Sequence, residues 1–495
     1  MTAERWLMAA LAAFALLPVP LLAGGGDVFN GSSGLQVLDH MQYLGMIRDA
    51  GENVLFSNRF DVVDDPHLFL HPMFVSSGLV WQVTGSIQLA FLIWTPVAVV
   101  LLAVGFARYA RRLVGTDPGA LVATLALAVF YLTPATYLTE WLGVGETLRF
   151  GTLVMGLEPY VAGYTWGAAG GAISVALMPL FLLGAERTLD GGRRSHAVWA
   201  GVAGLFCSWL HPWQGITLLA IVLGLVVWER FDRRLLKLAL PVGMTALPLA
   251  YMWVLSQTDS SWAYVSEPNE FDHVGWWLVL ALAPAVLALP GYLHRADDAQ
   301  ERMLRIWPVA ALAVYFALQQ SWFYHAVAGL SLPLSVLAVR GLRGRMPRPF
   351  AIAAVAAATV PGLVFVAAEL REARGDHFLT AGERDALRFL DDVPGDGPVL
   401  APLEPLGQAV PGFTGRRTFV GHYTWTPDFD ARRASAEELF EGRVDRATGL
   451  AIVRASRARF LAADCGRPSL AGLLRPLIAR VHRFGCATVY ELRPG

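Results

Sequence analysis

The stretch Ser32–Asn53, SSGLQVLDHMQYLGMIRDAGEN, decides how the rest of the sequence is interpreted. It follows the first apolar run and lies outside every predicted membrane span. Ser33 and Gln36 have the spacing of a capping box, and Gly51 is a helix stop signal. The pattern therefore predicts a helix over residues 34–50, just outside a membrane.

One face of this predicted helix carries an acidic residue and an aromatic residue. Asp39, Tyr43 and Ile47 follow one another at intervals of four, which places them on one stripe. A carboxylate at a membrane surface is suited to act as a general base that deprotonates an acceptor hydroxyl. The alternative is a solvated carboxylate on a helix face, the commonest state of an aspartate.

The composition indicates a membrane protein with many spans. Of the 495 residues, 55% are hydrophobic and 16% are charged, with a net charge of −1. High apolar content with little charge favours a polytopic α-helical protein, and a near-zero net charge argues against a nucleic-acid partner. The first apolar run has no A-x-A cleavage site before Gly24, so we expect a retained span rather than a signal peptide.

Apolar runs of spanning length predict about eleven transmembrane helices. Arginines cluster in alternate loops, which places those loops in the cytoplasm and the other loops, with the C-terminus, outside. Between two arginine-rich loops the chain must cross twice, so the predicted break is at His211–Pro212. The runs are 6–23, 88–107, 119–138, 167–184, 196–211, 213–228, 238–256, 274–293, 306–320, 326–340 and 349–368.

The sequence divides into a transmembrane domain, residues 1–369, and an extracytoplasmic α/β domain, residues 370–495. In the tail, helices are predicted at 381–391, 434–441 and near Leu470, and strands at 398–400, 418–420, 459–463, 478–484 and 487–492. Cys465 and Cys486 end neighbouring strands, expected to be parallel, in an oxidising compartment, so we expect a disulfide.

The Asp39-x-x-x-Tyr43 motif, after the first span and before a long outer loop, resembles the acidic motif of the GT-C superfamily of integral-membrane glycosyltransferases. The many spans, the outer amphipathic helix and the soluble outer tail are similar too. The resemblance implies that Asp39 is the catalytic base. The commoner motif has a second acidic residue directly afterwards, where this chain has His40, which puts a metal-binding role of the motif in doubt.

The resemblance implies a polyprenyl-phosphate-linked sugar as donor and a hydroxyl on a lipid, glycan or protein as acceptor. A phosphate leaving group needs no acid, so one carboxylate and cations for the phosphate are sufficient for an inverting displacement. The expected protein is a bacterial plasma-membrane hexosyl- or pentosyltransferase with no cofactor. The alternative from another class is a transporter or lipid flippase with an outer accessory domain, but the spans contain few ionisable residues.

Seven further residues are predicted to bind substrate. Tyr43 and Arg48 share the first-loop helix, and Arg48 or a histidine is expected to keep Asp39 ionised. Arg149 and His325 are candidates for the carrier phosphate, with snorkelling or interfacial side chains as the alternative. Glu267, with Glu270, Asp272 and His273, is a candidate for sugar hydroxyls.

His67 and His71 complete the predicted binding residues. They lie in DDPHLFLHP beside Asp64 and Asp65, so a divalent metal site is an alternative to surface or phosphate-contacting histidines. In the tail, TGRRTFVGHYTWTPDFDARR (residues 414–433) is dense in arginine, histidine, tryptophan and aspartate. We expect it to bind the acceptor or to dock against the membrane domain.

Overall fold

The computed structural model describes residues 2–23, 27–267, 275–318 and 322–493. The chain divides into two compact units. The first unit comprises Met1–Pro20, Trp94–Val254 and Glu267–Leu370, and the second comprises Leu21–Ile93, Leu255–Ser266 and Arg371–Gly495. The first outer loop therefore shares a unit with the tail, whereas the sequence analysis assigned that loop to the transmembrane domain.

The first unit is built from helices whose starts follow from proline and capping residues. Pro118, Pro134 and Pro212 each stand in a first turn, where a missing N–H leaves no bond unmade. Asp117 caps one of these helices by accepting a hydrogen bond from the Gly119 N–H at 3.0 Å. The longer helices, wholly or mostly in this unit, are Ala3–Leu16, Trp94–Val114, Pro118–Phe130, Glu146–Leu157, Ala169–Leu189, Arg194–Leu210, Pro212–Trp228, Ala239–Thr258, Ala299–Ala317, Ser331–Leu342 and Arg348–Glu372. The shorter ones are Pro18–Leu22, Pro134–Trp141, Val161–Trp166, Arg233–Leu238, Trp276–Leu282, Ala283–Ala288, Leu289–Tyr292 and Phe323–Val327.

Each predicted apolar run falls mainly on helix in the described residues, and the break at His211–Pro212 is confirmed. In those residues, six helical segments are long and apolar enough to cross a membrane. A seventh is added if the bent pair Pro118–Phe130 and Pro134–Trp141 is one span. Pro212–Trp228 and Trp276–Tyr292 are apolar but shorter, so the number of eleven spans stays a prediction.

The second unit contains two small sheets. The strands are β1 (Val28–Phe29), β2 (Phe378–Leu379), β3 (Val399–Leu400), β4 (Phe460–Ala463), β5 (Ile478–Phe484) and β6 (Ala487–Leu492). β1 and β2 form an antiparallel pair. The other four form a sheet in the order β3-β4-β6-β5, in which β3 and β4 are parallel and the other pairs antiparallel. The helices of this unit are Val37–Asn53, Pro72–Thr84, Ile87–Leu92, Ser260–Val265, Ala373–His377, Ala381–Asp392, Gln408–Thr414, Phe429–Phe440 and Arg446–Ala455, with an irregular helical segment at Leu403–Gly407.

Both faces of the sheet are buried at β4, which explains the unbroken apolar sequence FLAA of that strand. Phe460 and Ala462 join the core that includes Leu387. Leu461 and Ala463, on the opposite face, join a second core with residues of helices Phe429–Phe440 and Arg446–Ala455. A strand covered on both faces reads as a continuous apolar run rather than an alternating one.

Two predictions for the tail need correction, and one helix was missed. The predicted strand at 418–420 makes a single bridge, between Val399 and Thr418. The segment near Leu470 forms turns rather than a helix, and helix Arg446–Ala455 was not predicted. The hairpin at Gly485, which has φ +61°, is confirmed.

The first-loop helix spans Val37–Asn53, so it begins and ends later than predicted. Gln36 precedes it without a side-chain capping bond, and the predicted capping box does not form. The helix ends at Asn53, with Val54 as its C-cap, and not at Gly51. Gly51 instead lies where its helix crosses helix Pro72–Thr84 at Gly78. The crossing is so close that a Cβ added to Gly78 would lie 2.5 Å from the Gly51 Cα. Two glycines allow the backbones of two helices to touch at this crossing.

The predicted disulfide between Cys465 and Cys486 is confirmed, with a Cα–Cα distance of 4.8 Å. The expected reason was wrong, because the neighbour of β4 is β6 and the two run antiparallel. Ala463 of β4 lies opposite Thr488 of β6. Cys465 follows Ala463 by two residues and Cys486 precedes Thr488 by two, so the antiparallel pairing brings the two cysteines together.

Candidate functional site

Asp39 lies in the first turn of helix Val37–Asn53, with 23% of its side chain exposed. His422 Nε2 donates a hydrogen bond to Asp39 Oδ1 at 3.1 Å. The Tyr423 hydroxyl donates to the same oxygen at 3.2 Å. Within the described ranges, no donor bonds Oδ2. One carboxylate oxygen is therefore held in place and the other is available.

The protonation pattern of His422 follows from its backbone neighbour. The Thr424 N–H donates to His422 Nδ1 at 3.1 Å, so a neutral ring carries its proton on Nε2. The ring is 1% exposed and stacks on Tyr423 with centroids 4.4 Å apart. His422 is thus a fixed donor to Asp39.

The surroundings of Asp39 favour its ionised form. Burial by itself would raise the pKa of the carboxyl group. The hydrogen bond from His422, the electrostatic attraction of His422 and His40, and the bond from Tyr423 outweigh burial and lower the pKa below its ordinary value of 3.8. The carboxylate is charged at neutral pH, as a base must be.

His40 does not form a metal site with Asp39. Its ring is 3% exposed, and its Nδ1 lies 2.7 Å from Ser32 Oγ. Burial lowers the pKa of His40 to about 4, so the ring is neutral at physiological pH. In the part of the chain that the structure describes, no group of three or more His, Cys, Asp and Glu residues is placed to hold a metal ion.

Both donors to Asp39 come from the tail stretch 414–433. In the same turn, Trp425 Nε1 donates to Gln42 Oε1 at 2.6 Å, three residues after Asp39 on the first-loop helix. The sequence analysis singled out the stretch by its density of aromatic and charged residues. It did not identify His422 and Tyr423 as partners of Asp39, because no local pattern reports a contact across 383 residues.

Two solved structures show that the chain shares a known fold. Archaeal oligosaccharyltransferase AglB from Archaeoglobus fulgidus, solved with an inhibitory peptide and a dolichol-phosphate, has a TM-score of 0.53 and 14% identity over 93% of this chain and 69% of that one. Arabinofuranosyltransferase AftD from Mycobacteria has a TM-score of 0.57 and 14% identity over 100% of this chain and 42% of that one. The chain has the fold of these two structures, as the resemblance to the GT-C superfamily predicted.

The fold assignment rests on those two structures. ArnT from Cupriavidus metallidurans, solved in the apo state, also matches, with a TM-score of 0.48 and 13% identity over 99% of both chains. No protein-family model and no curated protein sequence matches the chain. At these identities the likeness establishes the fold alone, and the activity of the chain is inferred below from the site.

Tyr43 lies one turn after Asp39 on the first-loop helix. Its ring is 5.7 Å from the ring of Phe74 and 6.1 Å from that of Phe91. The aromatic residue of the motif therefore belongs to an aromatic group next to the carboxylate, which keeps it a candidate for the sugar site.

Arg48 does not neutralise Asp39. Its guanidinium pairs with Glu52 and Asp391, each at 2.7 Å, and lies over the Trp81 ring at 4.3 Å. The sequence analysis expected Arg48 or a histidine to keep Asp39 ionised. The structure places a histidine, His422, on the carboxylate, whereas Arg48 forms ion pairs farther along the helix.

His67 and His71 have different surroundings, which disfavours the metal interpretation. His67 Nε2 lies 3.2 Å from Asp49 Oδ1. His71 is 7% exposed, and its ring is 4.2 Å from the Phe74 ring. Asp64 pairs with Arg417, and Asp65 accepts a hydrogen bond from the Asn58 N–H.

Arg149 and His325 belong to the first unit, where they have different carboxylate partners. Arg149 pairs with Glu140 at 3.3 Å, with about half of its side chain exposed. His325 Nδ1 lies 2.9 Å from Glu158 Oε1, and Glu158 Oε2 accepts a bond from the Tyr164 hydroxyl at 2.8 Å. Nine residues separate Arg149 from Glu158, about 13.5 Å along a helix axis. The structure does not place the two predicted phosphate ligands side by side on this element.

The cluster around His325 contains residues that the sequence analysis missed. His211 and Trp213 have rings within 5 Å of the His325 ring centroid, at 4.9 and 4.8 Å. Gln214 Nε2 donates to the His325 carbonyl at 2.7 Å. The predicted helix break at His211–Pro212 was the one sequence signal that pointed to this cluster around His325. Glu267 is exposed, and Glu270, Asp272 and His273 lie outside the described residues.

Proposed function

We propose that this GT-C protein is an inverting glycosyltransferase of the bacterial plasma membrane. It transfers a monosaccharide from a polyprenyl-phosphate carrier to a hydroxyl on the outer face, and its tail, residues 370–495, is extracytoplasmic. The observation that carries this proposal is the Asp39 carboxylate, ionised and held through one oxygen by His422 and Tyr423.

The proposed reaction uses the free oxygen of Asp39 as general base. Oδ2 accepts the proton of the acceptor hydroxyl while the hydroxyl oxygen attacks the anomeric carbon from the face opposite the phosphate. The bond from the anomeric carbon to the phosphate oxygen breaks, and the polyprenyl phosphate leaves with the electron pair. Because phosphate is a stable anion, no acid is needed on the leaving group. The fixed donors on Oδ1 keep the carboxylate oriented, so little reorganisation accompanies proton transfer.

We assign the carrier phosphate to Arg149 and to the His325 cluster as separate candidates. Arg149 is loosely paired, so its guanidinium can exchange Glu140 for a phosphate. In His325, the ring nitrogen beside Glu158 is Nδ1, which leaves Nε2 to donate to a phosphate oxygen. We further assign Tyr43, Arg48, His67, His71 and Glu267 to the substrate-binding surroundings, with the acceptor class left to experiment.

The deciding experiment is Asp39→Asn, which keeps the shape of the side chain and removes the proton acceptor. We expect sugar transfer to fall by about 100- to 10,000-fold, since general-base catalysis contributes that much. Donor binding and thermal stability should be unchanged, because an amide oxygen can still accept from His422 and Tyr423. Transfer by purified protein in nanodiscs, with radiolabelled polyprenyl-phosphate sugar, measures the rate.

The matched control is Asp64→Asn, which alters an exposed carboxylate in the same outer loop. Near wild-type transfer by Asp39→Asn would show that Asp39 is a surface carboxylate and that another outer-loop acid is the base. If Asp39 is the base, Asp64→Asn should transfer sugar at an undiminished rate.

A further inference from the structure

The tail has an open sheet edge whose side chains the proposed reaction does not use. In the order β3-β4-β6-β5, strand β5 pairs with β6 alone among the described strands. The register of β5 against β6 shifts between Ile478 and Arg480. Irregular pairing of this kind and charged side chains both protect an edge against the addition of another strand. A ligand of this edge is therefore bound by side chains rather than by main-chain pairing.

Four exposed arginines lie on β5 and beside its start. Arg480 and Arg483 are in the strand, and Arg475 precedes it by three residues. Arg493 follows β6, and its backbone N–H donates to the Leu477 carbonyl at 2.8 Å, which places it beside the start of β5. In the described part of the chain, none of these four arginines forms an ion pair. A guanidinium without a carboxylate partner is available to an anion, which it binds through charge-assisted hydrogen bonds.

An aromatic stack continues the same edge. Arg480, His482 and Phe484 alternate along β5, so they share one face of the strand. Phe389, from helix Ala381–Asp392, packs on this face, with its ring centroid 4.3 Å from that of His482 and 5.3 Å from that of Phe484. All three rings are partly exposed. Rings of this kind offer a flat apolar surface that suits the C–H face of a sugar.

Two carboxylates that flank the aromatic stack already have partners. Glu491 Oε2, on β6, lies 3.7 Å from His482 Nε2. Asp385, one turn before Phe389 on its helix, pairs with Arg384 at 2.7 Å. The arginines of β5 therefore outnumber the carboxylates beside them, and the edge attracts anions.

The edge lacks the large apolar side chains with which proteins enter a membrane surface. In β5, Val481 is the one large hydrophobic residue that is strongly exposed, at 42%. In the same unit, Leu79 and Val83 are 59% and 87% exposed, and both lie in the first loop. Surfaces that bind membranes combine cations with exposed aromatic or leucine side chains. A soluble anionic polymer therefore fits the β5 edge better than a lipid surface does.

We infer that the β5 edge of the tail binds an anionic glycan. Carboxylate or phosphate groups of the glycan contact Arg475, Arg480 and Arg483, and one of its sugar rings packs against the aromatic stack at Phe389. Each contact is weak at an exposed site, but contacts made by one polymer act together, because the second binding event is intramolecular. This binding goes beyond the proposed transfer and does not involve Asp39.

The test titrates the full-length protein, in phosphatidylcholine nanodiscs, with two anionic probes, oligogalacturonate and phosphorylated mannan fragments. Neutral maltoheptaose, polyglutamate and vesicles containing phosphatidylglycerol serve as comparison ligands. We expect at least one anionic glycan to bind, with an affinity that falls as the salt concentration rises, and maltoheptaose not to bind.

The triple variant Arg475→Gln, Arg480→Gln and Arg483→Gln should lower the affinity about tenfold to a hundredfold. Each exposed charge contributes about two- to fivefold, and separate sites multiply. Arg493 stays native because its Nε donates to the Ile478 carbonyl at 3.3 Å. Thermal unfolding of the triple variant should match the wild type, since the three side chains are exposed and form no ion pair in the described part of the chain.

The matched control removes the same charge elsewhere on the tail, through Arg433→Gln, Arg443→Gln and Arg446→Gln, three other exposed arginines. It should leave glycan binding nearly unchanged. Phe389→Leu keeps every charge and should weaken glycan binding about two- to tenfold, because the sugar ring loses its aromatic surface.

Four results would overturn the inference. They are binding of neither anionic glycan, equal losses in the two triple variants, an unchanged affinity in Phe389→Leu, and binding of polyglutamate or of anionic vesicles that matches or exceeds glycan binding. Asp39→Asn should bind the glycan as the wild type does, so a failure here is separate from a failure of the proposed transfer.

Discussion

Two aspartates on one helix show how the same side chain is used for chemistry or for structure. Asp39 and Asp49 are ten residues apart on helix Val37–Asn53. Asp39 is partly exposed and has an open oxygen. Asp49 is 1% exposed, and both of its oxygens accept hydrogen bonds, Oδ1 from Arg59 at 2.7 Å and Oδ2 from the Ser57 N–H at 2.7 Å. Because both oxygens of Asp49 already accept hydrogen bonds, this carboxylate cannot accept a proton from a substrate. An unoccupied carboxylate oxygen therefore distinguishes the catalytic candidate from the structural aspartate better than charge does.

The largest effect on stability is expected for Asp49→Asn. Arg59, only 11% exposed, would keep its charge and lose its nearest carboxylate, with Asp396 left at 4.0 Å. Breaking a buried ion pair from one side costs about 3–5 kcal/mol. Thermal unfolding in nanodiscs should show a clear loss, whereas the folded fraction should transfer sugar at the wild-type rate.

The control for that experiment is Asp64→Asn, because Asp64 is 89% exposed and its pair with Arg417 contributes about 0–1 kcal/mol. Equal stability of Asp49→Asn and Asp64→Asn would contradict the distinction drawn between a buried and an exposed carboxylate. Asp39→Asn should show the converse pattern, with stability retained and transfer lost.

The next effect is a loss of stability on mild acidification, caused by His40. Its pKa is lowered from 6.5 to about 4, so between those values the unfolded chain binds more protons than the folded chain. The free energy of unfolding therefore falls as the pH drops from about 6.5 to 4, by about 3 kcal/mol in total. The pKa values of Asp39 and Asp49 are both lowered, so their contributions are lost only at still lower pH.

Unfolding measured at several pH values checks this window. His377, buried and with a lowered pKa, adds a loss of the same sign. His40→Asn removes one titrating ring, and its stability should depend less on pH between 4 and 6.5. Wild-type stability that is flat across this range would contradict a buried neutral His40.

The contrast between a side chain with all its partners and one that is available for substrate also applies to two arginines, Arg59 in the second unit and Arg149 in the first. Arg59 is mostly buried and tightly paired, whereas Arg149 is 46% exposed and pairs at 3.3 Å with a half-buried glutamate. Losing a hydrogen bond to a charged group costs about 1.5–3 kcal/mol, so Arg149→Ala should raise the donor KM by about 10- to 100-fold if it holds the phosphate. Initial rates at varied donor concentration measure this, with Arg388→Ala, another exposed arginine, as the control. An unchanged donor KM would move the phosphate to the His325 cluster.

The sequence predicted those features that depend on local pattern. Apolar length located the helices, Pro212 located a break, and alternation with Gly485 located the β5–β6 hairpin. It failed where tertiary packing overrode a local signal. Gly51 matched a helix stop signal, but in the structure it lies inside the helix, where the absence of a side chain lets the backbone contact that of Gly78. The capping box expected at the first-loop helix forms instead at Thr380 and Glu383.

Of the candidate site, the sequence predicted Asp39 but not its hydrogen-bond partners, because only the first depends on local pattern. Asp39 stood out because it follows the first span on an amphipathic segment. The identity of its partners depends on which tail residues fold back onto that helix, and no periodicity encodes this. Arg48 was chosen as the neighbour by sequence proximity, but nine residues of helix carry it about 13.5 Å away along the axis.

The smallest effect, and the sharpest test of what distinguishes Asp39, is expected for Tyr423→Phe. The change removes one of two hydrogen bonds to Oδ1 and leaves His422 in place. A net hydrogen bond is worth about 0.5–1.5 kcal/mol, which corresponds to a fall in kcat of about two- to tenfold. The donor KM should not change, since Tyr423 acts on the base and not on the phosphate. The acid limb of the kcat profile should move to higher pH, because the bond from Tyr423 helps to lower the pKa of Asp39. Tyr490→Phe, which removes a hydroxyl from the sheet of the tail, is the control and should leave the pH profile unchanged. A Tyr423→Phe variant with the wild-type kcat and pH profile would show that Oδ1 needs only His422, and that the second donor contributes to packing alone.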